Sequence, residues 1–530
     1  MMNRNVILCS DGTGNKGGAG VDSNVFKLYL AVDLHHSEQK QISYYDNGVG
    51  TSTNRYWKAF SGAFGFGFEA NVCDLYEELA RNYQRGDRVF MFGFSRGAAT
   101  IRAFTGFIDA CGLVNRFDEA GNLKEEALFQ KQLAAAIVVY RKIKSDKGKA
   151  AAETFKQEFA YKDSEYAPEG NLKIEFVGVW DTVSALGFPK NLSLAFDPLF
   201  KIADSLSEQF FPHSYYNYNI TPGTQYGYHA LSIDDARESF RPEVWMEKGR
   251  DPATVEQVWF AGVHSNVGGG YPRNGLSDVA FDWMLQKAAA HGLKFIEGTA
   301  ESVAMSANEQ GKLYDSRDGL GMYYRYQPRM IAELCKSTNK KTLGEPKLLG
   351  PVKIHNTVFK RVERGTARYV PSFIPEIFDV VKTEDASSRA IVLDEQPWQK
   401  AQEEVNSWVK KQQYLYHAFV EVTFFLIVCA LLLWIFPPEI VSQLQLDCCG
   451  DVSSKCDLPS LAKLLYYIFP SLFENFITFV VCAYSFIFFT MIAVLASMYF
   501  LRSAFKKGLV EAQETCRKLL FERVLQEQSD

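Results

Sequence analysis

The chain has 530 residues, of which 47% are hydrophobic and 22% charged. This length exceeds one ordinary core, and the composition excludes an intrinsically disordered protein. The formal net charge of −5 is small and negative, so we expect no nucleic-acid partner.

Apolar runs typical of buried parallel strands recur along the first half of the chain, and helix-forming stretches separate them. The predicted strands are 5–10, 41–45, 87–94, 173–180 and 255–263, with helical patterns at 68–84 and 100–111. Strands that alternate with helices predict an α/β fold, here a doubly wound, mostly parallel sheet with helical insertions.

The N-terminal stretch MMNRNVILCSDGTGN contains an apolar run of about four residues, which is shorter than the apolar core of a signal peptide. We therefore expect the N-terminal part of the protein to stay in the cytoplasm. The loop SDGTGN that follows the first strand lacks the Gly-Lys-Ser/Thr ending of a phosphate-binding loop, which argues against a nucleotide site.

The stretch VFMFGFSRGAAT places Ser95 between a predicted strand and a predicted helix. Gly93 and Gly97 complete the pattern G-x-S-x-G, in which the serine occupies a strained turn and the residues two positions away must be small. We interpret Ser95 as a nucleophile at a strand-to-helix elbow. The alternative is a serine in an ordinary turn.

An attacking serine needs hydrogen-bond donors for the oxyanion that forms on its substrate. The backbone N–H of Arg96 is the expected first donor. The second is predicted to come from Gly12 or Thr13, because the glycine-containing loop after the first strand should lie beside the elbow.

Eight histidines are candidates for the general base. His264 is favoured because it follows a predicted strand and precedes the glycine-rich sequence SNVGGGY, at the sheet edge where open α/β sheets bind ligands. His229 in YHALSIDD is the second candidate, and a purely structural histidine is the third possibility.

The predicted acid is Asp181, which directly follows the strand IEFVGVW and lies between Ser95 and His264 in the order typical of α/β-hydrolases. Asp234 and Asp235 also lie between them, and Asp278 lies just beyond. An aspartate at a strand end is also a common helix N-cap.

The domain boundaries are predicted from changes in composition and periodicity. We assign residues 1–290 to a catalytic domain with a helical insertion at about 115–165, and 291–410 to the end of the hydrolase fold and a connecting region. Residues 198–228 are rich in aromatic side chains, which fits either a lid over an acyl chain or irregular packing.

Two apolar stretches at about 418–437 and 476–501 are long enough to cross a bilayer as helices, within a predicted membrane region 411–505. Buried core helices are the alternative. Flanking lysines and arginines predict a multi-pass membrane protein with both termini in the cytoplasm. The loop between the stretches holds Cys448, Cys449 and Cys456, for which a disulfide is left open, and 506–530 is predicted to be an amphipathic helix.

Five stretches together resemble the signature blocks of an α/β-hydrolase domain family, formerly of unknown function, that is similar to the class-one lipase effectors of type VI secretion. They are CSDGTGN, GFSRGAATIRAF, GVWDTVSALG, HALSIDDARESFRPEVW and QVWFAGVHSNVGGGY. The resemblance covers roughly residues 3–290. It implies a Ser–Asp–His hydrolase with Ser95, Asp181 and His264 as the triad, and phospholipase A activity is known for the effector branch.

Together with this resemblance, the observations predict a membrane-anchored serine esterase of the bacterial inner membrane. The resemblance implies a phospholipase of the A1 or A2 type that cleaves acyl esters of membrane phospholipids without a metal or organic cofactor. The alternatives are a secreted antibacterial lipase effector, an esterase or thioesterase acting on a non-lipid substrate, and a catalytically silent membrane scaffold. Since an unrestrained phospholipase would harm its host, we also expect an inhibitory or activating protein partner. Homo-oligomerisation stays open, as do acyl position and head-group preference.

Overall fold

A computed structural model describes residues 4–526 except 13–16, 19, 48–67, 119, 163–171, 185–217, 248–249, 252, 337–349, 372, 384–387 and 436–484. Its described residues form one nine-stranded sheet in the order β2-β1-β3-β4-β5-β6-β7-β8-β9. The strands are β1 Asn5–Ser10, β2 Gln41–Asp46, β3 Arg88–Phe94, β4 Ile174–Trp180, β5 Thr224–Ser232, β6 Val255–Phe260, β7 Lys353–His355, β8 Ile377–Val381 and β9 Ser388–Val392.

All neighbouring strands are parallel except β8 and β9, which pair antiparallel. The strand order reverses at β1, since β2 lies on one side of it and β3 on the other. Such a reversal opens a crevice at the carboxyl ends of the strands, where α/β sheets bind ligands. The α/β part of the predicted fold class agrees with this sheet.

Helices cover both faces of the sheet, because the central strands β1, β3 and β4 are apolar on both sides and must be shielded from water. The described helices are α1 Asn24–Ala31, α2 Phe68–Asn82, α3 Arg96–Cys111, α4 Glu126–Tyr140, α5 Asp146–Phe159, α6 His264–Gly268, α7 Gly275–Ala290, α8 Thr299–Ser306, α9 Ile331–Leu334, α10 Asn356–Arg364, α11 Glu395–Ile435 and α12 Ser485–Gln526. One core contains side chains of α2, α3, α4 and α5, and the other contains side chains of α1 and α7. The predicted insertion at 115–165 contains α4 and α5.

The sheet continues well beyond residue 290, since β7, β8 and β9 extend it to Val392. The chain divides into two compact units, of which the larger contains Pro198–Glu404 together with most of the N-terminal part and Gln513–Asp530. The second consists mainly of Val405–Ala512.

The predicted pair of transmembrane helices is wrong. Among the residues that the structure describes, no helix combines the length and the apolar character needed to span a bilayer. Residues 418–435 of the first stretch lie on α11 and 485–501 of the second on α12, whereas 436–437 and 476–484 lie outside the described residues. Each apolar stretch is part of a longer helix that also carries charged residues, among them Lys410 and Lys411 on α11 and Arg502 on α12. The predicted location as a multi-pass inner-membrane protein is wrong with it.

The outer-loop cysteines Cys448, Cys449 and Cys456 lie outside the described residues. The end of α12 is amphipathic, because its buried residues recur every fourth position: Ala512, Cys516, Leu520 and Val524. Within the larger unit, Arg523 Nε donates to the carbonyl of Val392 at 3.0 Å and so joins the chain's last helix to the edge strand β9.

Candidate active site

The carboxyl ends of β3 and β4 bring two predicted site residues together. Ser95 directly follows β3, Asp181 directly follows β4, and the two strands are parallel neighbours. The backbone N–H of Ser95 donates to the carbonyl of Trp180 at 3.1 Å, which links the two strand ends. Both residues have positive φ, 57° at Ser95 and 40° at Asp181. Non-glycine residues in this strained region cluster at functional sites.

Two glycines make the elbow at Ser95 sterically possible. A Cβ atom at position 93 would lie 2.6 Å from the Cα of Ala98, and one at position 97 would lie 2.1 Å from the carbonyl oxygen of Ser10. Both distances are far below van der Waals contact with backbone atoms. A Cβ at position 97 would also lie 2.5 Å from the carbonyl oxygen of Asp11, so the start of the loop after β1 lies against the elbow, as the sequence predicts.

His264, the first residue of the short helix α6 after β6, contacts Asp181. Its Nδ1 lies 2.6 Å from Oδ2 of Asp181, and both side chains are buried. This carboxylate contact makes Nδ1 the protonated nitrogen and leaves Nε2 with the lone pair that a base requires. Nε2 is buried and has no hydrogen-bond partner in the described part of the chain.

Aromatic rings enclose the imidazole of His264. The ring of Phe94, the residue before Ser95, lies 4.6 Å away between centroids, and the ring of Phe240 meets it edge-on at 5.0 Å. Burial lowers the pKa of His264, and the charge and hydrogen bond of Asp181 oppose that shift. The lowered pKa keeps the imidazole neutral around pH 7, as a general base must be.

Asp181 has a second strong partner that the sequence did not indicate. Arg329 holds it in a two-point contact, Nη1 to Oδ1 at 2.6 Å and Nη2 to Oδ2 at 2.8 Å. The backbone N–H of Ser232 donates to Oδ1 at 2.9 Å and its hydroxyl to Oδ2 at 3.2 Å. Burial alone would raise the pKa of Asp181, but Arg329 and His264 hold it well below its usual range.

The second candidate base, His229, lies on β5 in a different environment. Its Nε2 is 3.2 Å from both the backbone nitrogen and the hydroxyl of Thr182, and its Nδ1 is 3.2 Å from Oε1 of Gln257. Both ring nitrogens therefore have structural partners. Burial lowers the pKa of His229 to about 3.

The other candidate acids have structural partners as well. Asp235 accepts the backbone N–H of His264 at 3.1 Å and pairs with Arg237 at 2.7 Å. Asp234 accepts the backbone N–H of Gly262 at 2.6 Å. Asp278 on α7 pairs with Lys27 at 2.8 Å. In this structure only Asp181, among the candidate acids, contacts the imidazole of His264.

The structure describes two of the three predicted oxyanion donors, Arg96 and Gly12. Arg96 is the first residue of α3, so its backbone N–H lies at the N-terminus of a 16-residue helix. The N–H of Gly12 donates to Oδ1 of Asp11 at 2.6 Å, and Thr13 lies outside the described residues. The second donor therefore stays a prediction. Across the described residues, no group of three or more His, Cys, Asp or Glu side chains is arranged to hold a metal ion.

The sequence of this region matches a known family. The model of the type VI secretion family "Phospholipase effector Tle1-like, catalytic domain" covers residues 4–287, more than half of the chain. The chain belongs to the Tle1-like catalytic domain family. This confirms the resemblance noted in the sequence and makes the chain a member of a lipase and effector family.

Other comparisons place this Tle1-like chain among distant relatives. The uncharacterized protein YEL023C of Saccharomyces cerevisiae is 29% identical over 204 residues, which is 35% of this chain and 27% of the yeast protein. A crystal structure of an uncharacterized protein from Pseudomonas aeruginosa has a TM-score of 0.36 at 16% identity, over 79% of this chain and 60% of that one. The structure of the Tle1 effector bound to the VgrG spike of the type 6 secretion system has a TM-score of 0.33 at 15% identity, over 63% and 82%.

Proposed function

We propose that this Tle1-like chain is a serine phospholipase that hydrolyses acyl esters of phospholipids with Ser95, His264 and Asp181 as its triad. The observation that carries the proposal is the 2.6 Å contact between Asp181 and His264 beside a serine with φ of 57°, with the far nitrogen of the imidazole left unpartnered. Family membership supports phospholipid as the substrate class.

In the proposed first half-reaction, Ser95 Oγ attacks the carbonyl carbon of an acyl ester while Nε2 of His264 takes the hydroxyl proton. Asp181 stabilises the imidazolium that forms. The N–H of Arg96 and a donor from the loop after β1 stabilise the oxyanion. The ester C–O bond then breaks, and the leaving alkoxide takes the proton from His264 to give a lysophospholipid.

In the second half-reaction, water attacks the acyl-serine ester while His264 again accepts a proton. Collapse of this intermediate breaks the bond to Ser95 Oγ, which recovers its proton from His264. A fatty acid leaves and the enzyme is restored, with no change of oxidation state at any step.

The test is phospholipid hydrolysis by the purified full chain on mixed-lipid vesicles, with products identified by mass spectrometry. We expect lysophospholipid and fatty acid from the wild type, and a loss in kcat of about 10⁶ for Ser95→Ala. Ser277→Ala is the matched control, because Ser277 is a buried serine on α7 whose hydroxyl donates only to a backbone carbonyl. Equal rates for wild type and Ser95→Ala would refute the proposal.

A fluorophosphonate probe tests whether Ser95 is a reactive nucleophile, independently of which ester the protein hydrolyses. Labelling of Ser95 without lipid release would keep the serine hydrolase and replace phospholipid by a different ester. Absence of labelling in a folded wild type would favour a domain that binds without catalysis.

Delivery to another cell as an antibacterial effector is a second proposal, favoured by the description of the matched family as type VI secretion effectors. The Tle1 effector in the solved complex binds a VgrG spike. If this chain is delivered in the same way, it should co-purify with a VgrG-type spike protein, and its expression in the target compartment should be toxic only while Ser95 is intact. Equal toxicity of wild type and Ser95→Ala would oppose this role.

A further inference from the structure

Arg329 is the most heavily bonded cation at the candidate site, and it lies outside the family-matched region 4–287. Arg329 contacts both carboxylate oxygens of Asp181. Its Nη1 also lies 2.6 Å from the carbonyl oxygen and 2.6 Å from the hydroxyl oxygen of Ser232. Its Nη2 donates to the carbonyl of Phe240 at 2.6 Å. Arg329 therefore ties the ends of β4 and β5 to the segment that carries Phe240, whose ring packs on His264.

The two-point contact fixes the plane of the Asp181 carboxylate. Each of the two Nη atoms of Arg329 contacts one carboxylate oxygen of Asp181, and Oδ2 also contacts Nδ1 of His264. Lysine cannot reproduce this arrangement, because its ammonium group is a point charge without a rigid fork.

The charges that face His264 come in two pairs. Asp181 contacts the imidazole and is paired with Arg329, while Asp235 contacts the backbone N–H of His264 and is paired with Arg237. Each carboxylate thus has its own guanidinium. The two aromatic rings that pack on the imidazole among the described residues, Phe94 and Phe240, are uncharged.

A carboxylate beside an imidazole raises the imidazole pKa, and a cation on that carboxylate offsets part of the effect. We infer that Arg329 is a positioning residue that orients Asp181 and shares its charge, so that His264 stays deprotonated at lower pH than an unshared carboxylate would allow. This inference rests on the proposed function only for its kinetic consequences.

The first test measures the His264 pKa directly, by NMR titration of the full chain labelled in its histidines, with His264→Ala to assign the signal. In Arg329→Met, three donors still reach Asp181: His264 and the N–H and hydroxyl of Ser232. Asp181 therefore stays ionised near neutral pH, and the His264 pKa should rise by about one pH unit. Arg329→Lys keeps the charge and should leave that pKa near the wild-type value.

The matched control is Arg361→Met. Arg361 is also buried, but its Nη1 donates to the carbonyls of Glu309 and Gly311 rather than to Asp181. It should lower thermal stability without moving the His264 pKa. If Arg329→Met gave the same result as this control, Arg329 would be a structural residue only and the inference would be overturned.

The kinetic test is the pH dependence of kcat/KM. The acid limb should move to higher pH in Arg329→Met, whereas Arg329→Lys should keep the limb and lose about 10- to 100-fold in kcat at unchanged KM. If Arg329→Met does not fold, the kcat of Arg329→Lys tests the positioning role instead. A wild-type kcat in Arg329→Lys would overturn that role. An inactive wild type would refute the proposed function while the NMR titration still tested the link from Arg329 to His264.

Discussion

Two buried networks near the same part of the sheet each join a histidine to an acid, yet they differ in charge. In the first, His264 contacts Asp181 directly and Arg329 keeps that carboxylate ionised. In the second, Gln257 stands between the acid and the base: its Oε1 is 3.2 Å from His229 and its Nε2 donates to Glu247 at 2.7 Å.

The second network carries less charge near neutral pH, because His229 is neutral there and Glu247 is only about half ionised. Burial lowers the pKa of His229 to about 3 and raises that of Glu247 to about 7. Both carboxylates are buried, so burial does not by itself determine which one is ionised. The difference is the guanidinium bound to Asp181, and it separates a network suited to catalysis from one suited to packing.

The largest difference between the networks should appear when each histidine is removed. His264→Ala should lower kcat by about 10⁶, since the general base is lost. His229→Ala should leave turnover within about tenfold and cost roughly 1–3 kcal/mol in the free energy of unfolding, because buried partners lose their hydrogen bonds. Steady-state kinetics and denaturant unfolding measure the two effects, and the opposite pattern would make His229 the base.

The two acids provide the next largest contrast. Asp181→Asn should lower kcat by about 10⁴, because the amide no longer orients and stabilises the imidazolium. Glu247→Gln should leave kcat within about threefold, since Glu247 contacts Gln257 and not the imidazole of His264. A comparable kcat loss in both variants would mean that the second network also takes part in turnover.

The pH dependence of stability tests the neutral state of Glu247. Its pKa is about 7 in the folded chain against 4.5 for the free side chain, so the wild type should lose stability as pH rises between these values. Glu247→Gln cannot ionise, and its unfolding free energy relative to wild type should increase from pH 5 to pH 8 by at most about 3 kcal/mol. A difference that stayed constant with pH would show that Glu247 is already ionised at pH 5.

The smallest expected effect concerns Thr182, whose hydroxyl lies 3.2 Å from Nε2 of His229. Thr182→Val removes this contact but keeps the backbone N–H of residue 182, which also donates to Nε2 of His229. It should cost about 0.5–1.5 kcal/mol in unfolding free energy and leave kcat within a few-fold. A large kcat loss would instead tie Thr182 to the neighbouring Asp181.

The sequence was informative where a local pattern has a steric cause. Ser95 was predicted from a strand, two glycines and a helix, and each glycine proves to face a backbone atom that no Cβ could approach. A position directly after a strand predicts Asp181 as the acid, and the same reasoning predicts His264 as the base, although β6 ends at Phe260 and His264 begins the short helix α6. The structure brings these two side chains into contact, and their catalytic roles stay predictions.

Other features carried no local signal. Arg329 lies in a stretch of weak periodicity, and only the path of the folded chain brings it to Asp181, 148 residues earlier. The strand β5 is not predicted from the sequence, because its polar and aromatic residues lack the continuous apolar pattern of a buried strand. The transmembrane prediction was wrong although it rested on a local signal, because the apolar stretches belong to the longer helices α11 and α12, which also contain charged turns.

The 148 residues between Asp181 and Arg329 in the sequence also delay their pairing during synthesis. A ribosome adds about 5–20 residues per second, so roughly 7–30 s pass between the synthesis of these two residues. In the later part of that interval, once His264 has been added, the nascent chain contains Ser95, Asp181 and His264 but still lacks Arg329, which holds the carboxylate of Asp181 in the folded chain. Ribosome-stalled chains ending before and after Arg329 should therefore differ in fluorophosphonate labelling of Ser95, and equal labelling would show that the elbow and triad assemble without the arginine.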